Sequence, residues 1–198
     1  MDVRDARAVS RLFDEVWSQM GVVDVLVNAA GLYPSHPLLD MSEQAWDRVF
    51  DTNLKGPHLC VQSFARKLVA AETPGVVVNI SSGAAKRARR GAAHYCASKA
   101  GLSMLTCSQA LELARQGIRV NAVAPGYVEV HSTVNPISEQ YAQAVADTVP
   151  LGRVGKPQDI ANAVLFLCSE QASWISGSVL AVDGGASAGS LGLPFSGS

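Results

Sequence analysis

The chain has 198 residues, 48 % of them apolar, and a formal net charge of −1. That apolar share excludes an intrinsically disordered protein, and the length suffices for one domain with a substantial core. The near-neutral balance argues against a general affinity for nucleic acid or for an anionic membrane surface.

The start, Met1-Asp2-Val3-Arg4-Asp5, has no apolar h-region of a secretory signal. Residues 6–20 then carry Val9, Leu12, Phe13, Val16 and Met20 at helical intervals. Val22 to Val27 reads as a short apolar strand ending in the small-residue turn Asn28-Ala29-Ala30-Gly31. A loop through Tyr33, Pro34 and Pro37 leads to Asp40-Met41-Ser42-Glu43, a capped helix start. The helix is expected from about Glu43 to Ala70, bent near Gly56-Pro57. Val76 to Ile80 is nearly all β-branched and reads as a buried parallel strand. A long helix follows from Ala92 to Arg115, with Gly117 as its C-cap, then a strand from Ile118 to Ala124 stopping at Pro125-Gly126. Helices are expected near Ser138 to Thr148 and from Pro157 to about Cys168, and a last strand from Val179 to Val182 before Asp183-Gly184-Gly185. The residues after Ala186 are rich in Gly and Ser and read as a loose tail.

Alternating short apolar strands and helices imply a parallel sheet covered on both faces. No repeat and no linker is visible, so the expected organisation is one domain over 1–185 and a tail over 186–198. No apolar run approaches the roughly 20 residues of a membrane span, so a cytoplasmic protein is expected. Cys60, Cys96, Cys107 and Cys168 are scattered without a C-x-x-C pair, three of them in expected helices, as suits reduced thiols. The four histidines (His36, His58, His94 and His131) show no metal-ligand spacing, and no metal is expected.

In such sheets a site lies beyond the carboxyl ends of the strands. Those ends hold Asn28-Ala29-Ala30-Gly31, Ser81-Ser82 and Pro125-Gly126. Tyr95 and Lys99 stand four apart on the helix after Ser82, hence on one face. A phenol normally titrates near pKa ~10, and lowering it by roughly 2 units takes about 2.7 kcal/mol. One positive charge about 4 Å away supplies on the order of 4 kcal/mol at an intermediate dielectric. Lys99 is therefore expected to tune Tyr95 for proton exchange near neutrality. Ser82 is not in a G-x-S-x-G turn, which speaks against a serine hydrolase.

From about Asp2 to Gly185 the chain resembles the short-chain dehydrogenase/reductase family. The resemblance rests on Asn28-Ala29-Ala30-Gly31, Asn53 in Asp51-Thr52-Asn53-Leu54, and Ser82 thirteen residues before Tyr95. It continues in Tyr95-x-x-x-Lys99, Pro125-Gly126-x-Val128, and Ser176-Gly177 before Asp183-Gly184-Gly185. It implies a Rossmann-like, doubly wound α/β sheet and a hydride transfer between NAD or NADP and a small alcohol or carbonyl substrate. By the same resemblance Tyr95 is the acid–base and Ser82 orients the substrate oxygen. Lys99 depresses the Tyr95 pKa and holds the nicotinamide ribose, and Asn53 holds a water that links Lys99 to solvent. Asp2, Asn28, Ala29, Gly31, Pro125, Gly126 and Val128 fall on cofactor-binding positions, with Asp2 toward the adenine. Spacing to the tyrosine selects Ser82 over Ser81, which is expected to bond backbone at the strand end.

The chain departs from the family pattern at two places. A threonine common two residues after the Val128 position is Val130 here, with Ser132 and Thr133 as substitutes for its hydrogen bond. The opening strand and its Gly-rich turn, T-G-x-x-x-G-x-G, are absent, which by alignment corresponds to roughly 50–60 residues, about one β-α-β-α stretch. The expected sheet is therefore incomplete, with the Val22–Val27 strand at an apolar edge, and Met1 reads as an internal start of a longer gene. Two functional readings follow: an oxidoreductase, and a non-catalytic subunit acting by oligomerisation. The family associates through helices corresponding to about 43–70 and 92–115 and through the last strand region, so a homodimer or homotetramer is implied. Lys86-Arg87-Ala88-Arg89-Arg90 reads as a solvated charge run that alternatively favours an acidic or phosphorylated substrate. Tyr33, Tyr127, His131 and Tyr141 are loop residues that either shape the pocket or pack the loops, and His94 is expected to face away from substrate.

Overall fold

The computed structural model describes residues 1–129 and 139–189. Helix α1 spans Ala6–Met20 and begins where the Asp5 carboxylate accepts the Arg7 and Ala8 N–H groups, satisfying two of the donors a helix start leaves open. Strand β1 (Val25–Asn28) follows, then α2 (Glu43–Phe50), capped by the Ser42 hydroxyl on Ala45 N–H at 3.1 Å. The expected bend between 43 and 70 is a π turn at Asp51–Lys55, after which α3 (Gly56–Ala70) continues with Pro57 in its first turn. Strand β2 (Gly75–Ile80), α4 (Ala93–Leu113), β3 (Ile118–Pro125), α5 (Glu139–Ala146), α6 (Pro157–Cys168) and β4 (Val179–Val182) complete the order. After α4, Gly117 adopts the left-handed conformation (φ 71°) that turns the chain into β3, as its place past the helix end requires.

The four strands pair in parallel in the order β1-β2-β3-β4. Helices cover both faces. Val9 and Phe13 of α1, Phe64 and Leu68 of α3 and Ala110 of α4 pack on Val77 and Val120. Leu167 and its α6 neighbours Ile160 and Val164 pack on Val78 and Val123 from the opposite side. Adjacent strand residues Val77 and Val78 are both fully buried because each faces a helical layer, which is why β2 reads as a continuous apolar run. Each such side chain contributes about 1.5–3 kcal/mol by leaving water.

Strand β1 forms one edge of the described sheet and starts at Val25 rather than Val22, because its partner β2 pairs only from Val76 onward. Val25 and Val27 are 39 % and 40 % exposed, the apolar edge expected from the sequence. All four cysteines lie in helices and are unpaired. Among the described residues no helix is long and apolar enough to cross a membrane.

Parallel pairing brings every strand's carboxyl end to the same rim, and a buried polar ladder fixes it there. Asn28 and Asn79 are register partners; Asn28 Nδ2 donates to Asn79 Oδ1 at 2.8 Å, and Asn79 Nδ2 donates to Thr106 Oγ1 at 3.0 Å and Gln109 Oε1 at 3.4 Å on α4.

Candidate active site

Four elements meet at that rim. β1 leads into Ala29, Ala30 and Gly31, all exposed. β2 delivers Ser81 and Ser82, whose side chains go to opposite faces. Ser81 is buried, bonded to Ser103 Oγ at 2.7 Å and donating to the Lys99 carbonyl at 3.2 Å, so it ties the strand end to α4. Ser82 stays at the site, its hydroxyl accepting the Ala84 N–H at 3.1 Å and lying close enough to Tyr95 to hydrogen-bond the phenol. Of the two serines, Ser82 is the one whose side chain stays beside Tyr95.

Lys99 is 5 % exposed, and its Nζ donates to the Ile80 carbonyl at 2.6 Å. That bond aims the ammonium at the end of β2 and leaves two N–H donors unassigned. Burial lowers the Lys99 pKa to about 8. The expected effect of Lys99 on Tyr95 is not what the structure gives. Tyr95 is held above its ordinary value, first by burial; the hydrogen bond to Ser82 and the Arg89 charge oppose that, and Lys99 is not among the leading influences. Desolvation penalises the phenolate more than its neighbours favour it.

Asn53 is fully buried in the π turn. Its Oδ1 accepts the Leu32 N–H at 2.7 Å, and its Nδ2 donates to the Leu32 carbonyl at 2.8 Å and to Ser98 Oγ at 3.2 Å. Both amide hydrogens are engaged, so the side chain clamps the loop after β1 to α4; the expected water-holding role has only one acceptor lone pair left to it. The extra residue of a π turn is what rotates Asn53 inward. A β-carbon on Gly31 would stand 3.5 Å from Asn53 Oδ1 and 3.7 Å from Lys99 Nζ, so Gly31, Asn53 and Lys99 form one cluster.

Across the rim, Pro125 ends β3 and its carbonyl lies beside Gly83. Gly126 packs on Asp183, where a β-carbon would come within 2.7 Å of the Asp183 Cβ. Val128 bridges Gly155 through the groups on either side of it: Glu129 N–H donates to Gly155 O at 2.8 Å and Gly155 N–H to Tyr127 O at 2.9 Å. Asn28 is drawn into the polar ladder, so its side chain faces inward rather than toward the opening. Asp2 is exposed and forms a two-oxygen pair with Arg4, 2.9 and 2.6 Å, which holds its carboxyl down at about 2.

Sequence reasoning missed Ser98 and named Arg89 and His94 without the contacts they make. Ser98, fully buried, accepts from Asn53 and donates to the Tyr95 carbonyl at 2.8 Å. Arg89 lies over the Tyr95 ring, 6.0 Å from its centroid. His94 is fully buried and edge-on to His36, and its Nδ1 accepts the Tyr95 N–H at 2.9 Å. It acts as the cap that Ala92, with no side-chain acceptor, does not supply. That missing cap was the readable signal. Burial and the nearby His36 both lower the His94 pKa, so the ring is neutral and carries its proton on Nε2, which has no partner among the described residues. Val130, His131, Ser132, Thr133 and the 190–198 part of the tail lie outside the described residues, as does the Tyr141 side chain. Among the described residues no group of three or more His, Cys, Asp or Glu is placed to hold a metal ion.

A family model described as "Enoyl-(Acyl carrier protein) reductase" matches residues 1–187. The 3-oxoacyl-[acyl-carrier-protein] reductase FabG of Staphylococcus aureus is 42 % identical over 184 residues, which cover 93 % of this chain and 74 % of that protein. The enzyme of the same name from Aquifex aeolicus is 40 % identical, again covering 93 % and 74 %. Among solved structures, a 4-hydroxyisoleucine dehydrogenase complexed with NADH superposes with a TM-score of 0.86 at 32 % identity, covering 96 % of this chain and 80 % of that one. A gluconate 5-dehydrogenase from Burkholderia cenocepacia, in complex with NADP and tartrate, gives 0.88 at 31 % identity, covering 96 % and 74 %. With the Rossmann-like parallel sheet and the serine, tyrosine and lysine at its carboxyl rim, these matches show that the chain belongs to the short-chain dehydrogenase/reductase family of NAD(P)-dependent oxidoreductases.

Proposed function

We propose that this chain interconverts a ketone and a secondary alcohol, with Tyr95 as the acid–base. The observation that carries the reading is the convergence of Ser82, Tyr95 and Lys99 at one rim, beside a turn of Ala29, Ala30 and Gly31 whose small side chains leave the backbone open. The named relatives support the substrate class: a 3-oxoacyl group, 4-hydroxyisoleucine and gluconate each present a ketone or a secondary alcohol. This reading narrows the expected alcohol or carbonyl to a secondary alcohol and its ketone and drops the restriction to a small substrate.

The residues present fit the nicotinamide end of NAD or NADP. The two remaining Lys99 donors and the Gly31 turn would hold the ribose, with Pro125, Gly126 and Val128 along the ring. When bound, the nicotinamide gives or accepts the hydride. Everything else falls to the protein. Ser82 directs the substrate oxygen toward Tyr95, and a phenol kept protonated by burial donates its proton to that oxygen as it gains charge. The raised phenol thus suits the reductive direction near neutral pH. Lys99, poised at about 8, is positioned to return a proton from solvent. We also read the chain as self-associating, because Val69 of α3, Met104 and Leu111 of α4 and Trp174 before β4 are 48 %, 68 %, 82 % and 100 % exposed.

The test has two parts. NADH and NADPH titrations of the purified chain should show saturable binding, and Tyr95→Phe should cut turnover by roughly 10²–10⁴-fold while leaving the fold intact. Undiminished turnover in that variant refutes the acid–base role. Absence of cofactor binding up to millimolar concentration would instead favour a non-catalytic, oligomer-forming subunit.

A further inference from the structure

The run Lys86-Arg87-Ala88-Arg89-Arg90 lies between the two site residues Ser82 and Tyr95, and all of it is exposed. Arg87 is tied down by donating to the Ala186 carbonyl. Arg89 instead folds back over the Tyr95 ring, its guanidinium carbon 6.0 Å from the ring centroid. Among the described residues, no carboxylate pairs with Lys86, Arg89 or Arg90. A cationic fork is thus held at the mouth of the site by a ring contact, with its charge uncompensated.

Resting on the oxidoreductase reading above, we propose that Arg89 forms an anion subsite next to the reacting oxygen and that the substrate is an oxo or hydroxy acid. The chemistry follows from the geometry. A guanidinium presents parallel N–H donors that match the two oxygens of a carboxylate. From its place over the Tyr95 ring, it would hold that carboxylate within a few bonds of a carbon whose oxygen rests on the phenol. A neutral ester or thioester at the same position gives Arg89 no ionic partner. Arg89 is therefore a specificity-determining residue, distinct from the proton-transfer group on which it leans.

The experiment compares acetoacetate with methyl acetoacetate, in which one added methyl group removes the charge of the acid, with NADH and with NADPH. The readout is the acid-to-ester ratio of kcat/KM in the wild type, Arg89→Gln and Arg89→Lys, supplemented by calorimetric titration of acetoacetate. The ratio should favour the acid on the order of tenfold or more. It should fall to about one in Arg89→Gln and recover in part in Arg89→Lys, which keeps charge without the fork. A wild-type ratio near one overturns the proposal. So does an Arg89→Gln variant that lowers both probes in proportion, which would mean that Arg89 acts only on the phenol. If neither probe is reduced, saturable acetoacetate binding that is lost in Arg89→Gln upholds the subsite while the oxidoreductase reading fails, and no such binding overturns the subsite too.

Discussion

Replacing Lys99 by methionine separates stability from activity. Methionine keeps the unbranched stem and removes the charge. The Lys99 pKa falls from 10.5 to about 8 on burial, so keeping the ammonium charged in the folded protein near pH 7 costs about 3 kcal/mol, at 1.36 kcal/mol per unit. Losing the bond to the Ile80 carbonyl gives back about 1–3 kcal/mol, because that acceptor is left unsatisfied. The variant is thus expected to be as stable as the wild type or up to about 2 kcal/mol more stable at pH 7. The pH dependence is the sharper test. Between pH 8 and 10.5 the unfolded lysine binds a proton that the folded one has released, so wild-type stability rises with pH across that window relative to the variant. Below pH 8 the difference is constant. Urea unfolding at pH 7, 8, 9 and 10 measures it. A difference that is flat with pH, or a wild type clearly more stable at pH 7, would refute the burial argument. Turnover should be lost in the variant throughout.

Other consequences follow from single contacts. His94 is buried neutral with a lowered pKa, so the unfolded chain takes up its proton first and stability falls as the pH drops below about 6.5, by at most ~1.4 kcal/mol per unit. His94→Asn, whose amide oxygen takes the place of Nδ1 on the Tyr95 N–H, should flatten that limb in denaturant titrations at pH 7.5 and 5.5. Gly126→Ala should lower stability by about 1–3 kcal/mol because the new β-carbon meets the Asp183 backbone, 2.8 Å from its Cα. Gly31→Ala meets only ordinary contacts at 3.5 and 3.7 Å; it should melt like the wild type but bind NADH or NADPH more weakly in fluorescence titrations.

Much of the fold was readable because its ends are written in local chemistry. Asp5, Ser42, Pro157 and Gly117 mark helix limits by capping or backbone preference, and β-branched runs mark β2 and β3. Helical spacing put Tyr95 and Lys99 on one face, while the choice of Ser82 over Ser81 came from the resemblance to the family. What escaped depends on distant partners. The π turn holds Asn53 on Leu32, 21 residues away, and no periodicity encodes that contact. Tyr95 is held above its ordinary value because its own burial outweighs the Ser82 bond and the Arg89 charge, which helical spacing cannot reveal.

The amide chain from Asn28 through Asn79 to Thr106 and Gln109 also acts as an alignment key. Sliding β1 by one position along β2 would turn Asn28 outward and bury Val27 against an amide with no mate. Several polar atoms would then sit unanswered in a dry interior at about 1–3 kcal/mol each, enough to outweigh the comparable greasy contacts a shifted arrangement retains. Apolar strands alone tolerate such slippage. This chain is barred from it, and the strand tips that meet at the rim arrive level with one another each time it folds.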